Sequence, residues 1–232
     1  KVIANSAAPE VLTFWRFLIT VISLLPVLGF YRKSLRMDFN CLWRTLLGAA
    51  LIVGYNKMFF RGLQTGYAGA AGVLVTTYNP ILTFLLAVYF FKRPLHKRAL
   101  LGLLLGFTGG MILLHVWSVS LEKLLLSGNL FFIGASTCWA FLTITSEKTK
   151  DCLHPLIFSF YIYLFATILD YFLAIPYHPF DALALGFTFW FNVVYLAVFA
   201  TTFATTVYFA ASSKIGSNRA SSFIFLVPTS AV

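Results

Sequence analysis

Charge is what this sequence has least of. Seven of its 232 residues are Asp or Glu, and charged residues of all kinds make up 10%. Soluble domains carry roughly 25% charge, so a water-facing surface of ordinary composition is excluded. Cysteine is also sparse. Cys41, Cys138 and Cys152 are odd in number and lack metal-ligand spacing, which predicts neither a disulfide framework nor a zinc site. The four histidines (His96, His115, His154, His178) are scattered. There is no HExxH, no GxSxG and no phosphate-binding GxxxxGK[ST], and Gly109-Gly110 lies inside an apolar run. Enzymatic activity, a cofactor and a bound metal are therefore not expected.

What is present is apolar. Sixty percent of the residues are hydrophobic and the mean hydropathy is +0.87, which places the chain among integral membrane proteins. The net charge of +10 has no basic helix in a soluble module to carry it, so nucleic acid is not an expected partner. Segment 68–95 shows the pattern best. It runs without charge from Ala68 to Phe91, holds Pro80 at its middle and stops at Lys92-Arg93-Pro94. About 20 apolar residues at 1.5 Å per residue cross a bilayer. The sequence predicts eight such spans, at 11–30, 42–60, 68–91, 99–117, 128–146, 156–175, 187–211 and 217–232. Trp15, Trp43, Trp117 and Trp190 fall near span ends, where indoles prefer the interface, whereas Trp139 sits well inside.

Basic residues set the predicted orientation. Arg32, Lys33, Arg36, Arg44, Lys92, Arg93, Lys97, Arg98, Lys148, Lys150, Lys214 and Arg219 fall on one side, and only Lys1, Arg61 and Lys123 on the other. The richer side is expected in the cytoplasm. Arg16 and Lys57 lie within spans.

The chain also repeats itself. The run from Gly216 to Pro228 has the spacing of the run ending at Pro80, 148 residues earlier. Ala8 to Leu18 resembles His154 to Leu164, with Pro9 on Pro155 at an offset of 146. Five spans separate the matched helices, so mates cross in opposite directions. Such inverted repeats are the usual architecture of alternating-access transporters, with a substrate site near the midplane. The expected division is a first repeat at 1–117, a connecting loop at 118–127 and a second repeat at 128–232. By the repeat, one helix is expected before the first span and one after the last, giving ten in two halves of five.

Ten helices in two five-helix halves resemble the drug/metabolite transporter superfamily, specifically the EamA-type permeases. The resemblance rests on Pro9 leading to Arg16-Phe17, the run from Gly62 to Pro80, the glycine-rich helix from Gly102 to Leu113, Cys138-Trp139-Ala140, and the repeat from Ala210 to Pro228. It covers essentially the whole chain. At one place the chain departs from it: the family usually has a glutamate after the fourth helix, where Arg93 stands here. The resemblance implies an all-α membrane bundle in a bacterial inner membrane. It further implies a secondary transporter of small polar metabolites, amino acids or related compounds first, most often outward. A drug or toxic-metabolite exporter is the second reading, and a non-transporting scaffold or lipid-handling protein is the alternative of another class. The partners expected are the bilayer, a small-molecule substrate and, in a homodimer, a second copy of the chain.

Charges within spans are costly and so mark function. Lys57 is either a substrate contact or a snorkelling or paired cation, and Arg16 either a structural group or a substrate contact. Asp170 either pairs with a cation or caps a helix end, with proton coupling as the sharper reading. No carboxylate falls at the bilayer centre, which disfavours a proton-driven exchanger built on one. The excess of intramembrane cation favours a substrate with a carboxylate or another anionic group. Asn56, Tyr78, Asn79 and Trp139 are candidate cavity-lining residues. Pro80 and Pro228 each remove a backbone hydrogen bond inside a helix and are either paired hinges or shape-setting kinks. Gly102, Gly106 and Gly110 recur every four residues and predict one small face for close helix packing. The paired threonines of span 187–211 are expected either to line the middle or to bond their own i−4 carbonyls.

Overall fold

The computed structural model describes residues 6–32, 35, 37–66, 68–92, 97–113, 117, 120 and 127–227. Those residues form an all-helical bundle with no strand among them. We number the helices α1 (Pro9–Tyr31), α2 (Phe39–Thr65), α3 (Ala68–Phe91), α4 (Lys97–Leu113), α5 (Leu130–Lys148), α6 (Pro155–Ala174), α7 (Phe187–Ile215) and α8 (Ser217–Ser222). Five of them, α1, α3, α5, α6 and α7, carry stretches long and apolar enough to cross a membrane. α2 is longer than most at 27 residues, but Arg44, Lys57 and Arg61 dilute its apolar character. α4 is apolar but shorter, at 17 residues.

Each helix falls on one of the spans expected from hydropathy, and two differ from a plain α-helix. α7 is α-helical over Phe187–Tyr195, widens to a π-helix over Leu196–Thr205, and returns to α over Thr206–Ile215. α8 lasts six residues and passes into a 3-10 turn at Phe223–Leu226. Pro228, the expected partner of Pro80, lies outside the described residues. The other matched prolines, Pro9 and Pro155, both open a helix. The missing N–H costs nothing there and the fixed φ suits the first turn. The His154 ring adds a cap, accepting the Leu156 backbone N–H at 3.3 Å.

The packing sets α1 against α6, α2 against α5 and α6, and α3 against α5 and α8. α1 also lies on the π-helical part of α7. Phe17, Leu24, Ile52, Phe158, Ile162 and Phe209 fill the centre. Large apolar side chains such as Phe30, Phe39, Tyr89 and Phe187 point outward and are more than half exposed. In lipid, helices gain little by hiding such groups from their surroundings, so close contact must come from small residues. The α2–α5 seam shows this. A Cβ on Gly62 would lie 2.6 Å from the Phe132 ring, and one on Gly128 2.6 Å from the backbone of Gly66.

The glycines of α4 do not act as one face. A Cβ at Gly106 would meet the Phe225 ring at 2.5 Å, and one at Gly110 would meet Thr77 at 3.2 Å. At Gly102 it would meet nothing within 4 Å among the described residues. The single packing stripe expected from the four-residue spacing is thus two separate contacts and one open position. A second correction concerns cysteine. The structure joins Cys41, in the first turn of α2, to Cys152 in the α5–α6 connection, with Cα atoms 6.2 Å apart, and leaves Cys138 free. An odd count argued against pairing, but it fixes only that one thiol is left over.

Candidate substrate cavity

α1, α2, α5, α6 and the π-helical part of α7 enclose a cavity of about 380 Å³. Its polar wall comes from Arg16 of α1, Asn56 of α2 and Thr205 of α7. The Arg16 guanidinium donates from Nε to Thr201 Oγ1 at 2.9 Å and from Nη1 to Asn56 Oδ1 at 3.0 Å. Both acceptors are neutral. Asn56 is itself oriented, donating from Nδ2 to the Ile52 carbonyl at 2.9 Å. A guanidinium has five N–H donors, so these contacts hold the group without exhausting it. Among the described residues no acidic side chain comes within ion-pair distance of Arg16.

The wide turn of α7 supplies the threonines. Thr201 Oγ1 donates to the Leu196 carbonyl at 2.9 Å, and Thr205 Oγ1 to the Ala200 carbonyl at 2.9 Å. Both reach five residues back, not four as expected for an α-helix. A π-helix exposes its carbonyls to an i−5 partner, and such segments occur often at functional sites.

The rest of the wall is aromatic. Tyr55 and Phe59 of α2 stack with ring centroids 5.8 Å apart, and Tyr55 meets Trp139 of α5 at 4.8 Å. Trp139 continues to Tyr208 at 5.5 Å, whose hydroxyl lies 3.1 Å from that of Thr143. The Trp139 indole N–H is buried, and among the described residues Tyr208 is the polar side chain beside it. Beyond Tyr55, Phe59 and Trp139 lies a second cavity of about 320 Å³, walled by Ala71, Val75 and Asn79 of α3 and by Ile224 and Val227 after α8. Asn79 is buried and its Oδ1 accepts from Thr83 at 3.1 Å.

The other intramembrane charges lie apart from the first cavity. Lys57 Nζ pairs with Glu10 Oε1 at 3.3 Å, and Arg61 Nη2 reaches the same oxygen at 3.6 Å. Glu10 is only 3% exposed. Its place in the first turn of α1 suits a carboxylate, since the helix N-terminus is the positive end of its dipole. Of the two expectations for Lys57, substrate contact or a snorkelling or paired cation, the geometry agrees with pairing: Asn56 faces the cavity, whereas Lys57 faces Glu10. Asp170 is buried at 2% exposure near the Thr13 hydroxyl and forms no ion pair among the described residues. The expected meeting of Asp170 with Arg16 or Lys57 in an ion pair is therefore absent; Glu10 takes the place of Asp170.

Of the residues singled out from sequence, Arg16, Asn56 and Trp139 come together in the first cavity, and Asn79 and Trp139 in the second. Tyr78 is half-buried in α3 and lines neither. Pro80 is buried within α3, one residue beyond Asn79. Tyr55, Phe59 and Tyr163 were missed. The signal for the first two was present: Ile52, Tyr55, Asn56, Phe59, Phe60 and Leu63 recur at three- and four-residue steps along one side of α2, and all six line the cavity.

The chain is similar to several known proteins. Two Bacillus subtilis (strain 168) proteins align along nearly all of it. The uncharacterized transporter YyaM is 24% identical over 227 residues, covering 95% of this chain and 74% of YyaM. The uncharacterized transporter YetK is 25% identical over 229 residues, covering 94% of this chain and 67% of YetK. A solved crystal structure shares the fold with a TM-score of 0.73 at 20% identity, over 97% of this chain and 77% of the other. The EamA-like transporter family matches residues 1–115 and again 126–232. With spans long enough to cross a bilayer and a family match over both halves, the protein is a multi-pass membrane transporter belonging to the EamA-like transporter family.

Proposed function

We propose that this protein moves small metabolites bearing a carboxylate or another anionic group, amino acids or related compounds first, across a bacterial inner membrane by alternating access. The observation that carries the proposal is Arg16. It is a cation within a membrane-spanning helix, on the wall of a cavity, held by two neutral acceptors and by no carboxylate among the described residues. A desolvated charge of that kind is costly unless a ligand supplies the opposite charge. The cavity volume falls within the usual range for small-molecule sites. A scaffold would have no use for such a space.

Alternating access by two inverted halves, at 1–117 and 128–232, is supported by the contacts of the matched helices. α1 packs on its mate α6, and α3 on its mate α8. α1 meets α7 as α6 meets α2, which is the pairing a two-fold relation between halves requires. The family matches fall on the same two segments. Outward movement is the direction proposed.

Reconstitution into liposomes tests the reading. Labelled amino acids and related carboxylates are expected to cross faster than in empty liposomes, and Arg16→Gln is expected to abolish that flux. Flux no greater than in empty liposomes across the panel counts against the substrate class. Equal flux through Arg16→Gln with an unchanged substrate range removes Arg16 from recognition.

A further inference from the structure

We infer that the two cavities form one bipartite site whose ligand is an amphipathic anion, with its charged group at Arg16 and an apolar body lodged past Tyr55, Phe59 and Trp139 in the second chamber. The inference rests on the reading of Arg16 above and specifies the ligand further. The chambers are neighbours by construction, because Tyr55, Phe59 and Trp139 line both. They differ in chemistry. The first holds Arg16, Asn56 and Thr205. The second is walled mainly by Ala71, Val75, Ile224 and Val227, with two buried polar side chains, Thr76 and Asn79, the latter accepting from Thr83 at its Oδ1.

A small hydrophilic anion has no use for the second chamber. Its charge would be met at Arg16 while a comparable volume of apolar space stayed unfilled. A ligand with a carboxylate and a ring or short alkyl body uses both. The partition suits such passage, since Tyr55, Phe59 and Trp139 are each only partly buried and present flat faces to a sliding apolar group. The chambers also draw on different helices. The first is built from α1, α2, α5, α6 and α7, and the second adds α3 and the turn after α8. A ligand that spans the partition therefore touches α3 and the turn after α8 as well as α1.

The test compares butyrate with 4-phenylbutyrate, binding to the full chain in lipid nanodiscs, with empty nanodiscs subtracted. Burying a phenyl ring strengthens binding by at least about tenfold, so 4-phenylbutyrate is expected to bind at least about tenfold more tightly than butyrate. Val75→Phe, which fills the second chamber from α3, is expected to reduce that advantage to about threefold or less while butyrate binds as before. Ile224→Phe fills it from the opposite wall and is expected to do the same. Retained butyrate binding shows that each variant is folded. No advantage for the phenyl group, or an undiminished advantage in both filled variants, overturns the bipartite site and leaves the reading of Arg16 standing. If Arg16→Gln binds both ligands as the parent does, the reading of Arg16 fails and the inference fails with it.

Discussion

Arg16 and Lys57 are both cations within helices of the bundle, on neighbouring elements, and they end in opposite circumstances. Lys57 has Glu10 at 3.3 Å, shares it with Arg61 and stands off the cavity. Arg16 has Asn56 and Thr201, both neutral, and stands on the cavity wall. The difference shows that an intramembrane charge is informative only together with its partner. A cation with a buried carboxylate is paired, and the surplus of two cations over one carboxylate sits on side chains that reach water. A cation positioned by neutral acceptors has its geometry fixed and its charge left over. Two features account for the split. Lys57 and Arg61 are one turn apart on α2, so one carboxylate in the first turn of α1 serves both. Arg16 faces the π-helical part of α7, where the side chains that meet it are hydroxyls.

The contrast is tested most severely by removing the free charge. Arg16→Gln ends about where Arg16 Nε now stands, so it can keep a donor for Thr201 but loses the cation and the reach to Asn56. Truncating one partner of a desolvated charge pair costs about 2–5 kcal/mol of binding, so carboxylate affinity should fall by about 30-fold or more. Thermal stability should change little or rise, because a buried charge with no protein counter-ion is removed. Carboxylate titration alongside a thermal melt reads both. A variant that melts far lower and also loses binding would mark Arg16 as structural and erase the contrast.

A sharper test gives Arg16 what Lys57 has. Asn56→Asp is nearly isosteric and places a carboxylate oxygen where Asn56 Oδ1 now accepts from Arg16 at 3.0 Å. The new ion pair should occupy the cation and lower carboxylate affinity by about 30-fold, with the arginine still in place. The cost to the fold is the bond from Asn56 Nδ2 to the Ile52 carbonyl, which becomes a repulsive contact between two oxygens. Unchanged carboxylate binding would show that recognition does not depend on Arg16 being free.

The fold was far more legible than this distinction. Helix positions followed from apolar run length, because that is a local property. The π-helix was not legible. The threonines of α7 announce that they bond their own backbone, but whether they reach four or five residues back depends on what packs against the turn. The pairing of Lys57 with Glu10 joins residues far apart in sequence, and hydropathy carries no information on which side chains meet. Tyr55 and Phe59 had the spacing of an ordinary buried stripe, and only the empty volume beside them distinguishes a cavity wall from a core. The bond between Cys41 and Cys152, 111 residues apart, was hidden for the same reason.

Breaking the other member of the comparison should affect the fold and spare transport. Glu10→Gln leaves Lys57 and Arg61 without their shared carboxylate. The carboxylate is buried, but Lys57 is 35% exposed and Arg61 46%, so both cations can turn to water. A fully buried broken pair costs about 3–5 kcal/mol, and that accessibility reduces the expected loss to about 1–2 kcal/mol. Denaturation measures the loss, and liposome flux should remain within about twofold of the parent. A flux loss as deep as that of Arg16→Gln would place the Glu10 cluster in the transport path.

A comparably small effect isolates how Arg16 is held, as distinct from what it is. Thr201 Oγ1 accepts from Arg16 Nε, while its own proton is committed to the Leu196 carbonyl. Thr201→Val keeps the side-chain shape and removes both bonds. The Leu196 carbonyl can tolerate the loss, since a hydroxyl at i−5 is an addition to the helix and not part of its ladder. The guanidinium keeps Asn56 at Nη1, so it stays at the wall but less firmly aimed. Losing one positioning hydrogen bond to a charged group is worth about 1.5 kcal/mol, which predicts a loss of carboxylate affinity of about tenfold. The charge itself is untouched, so the loss should be of similar size for butyrate and 4-phenylbutyrate, because the apolar body does not reach Thr201. A loss confined to one of the two ligands would mean that α7 reads the body of the substrate as well as orienting the cation that binds its charge.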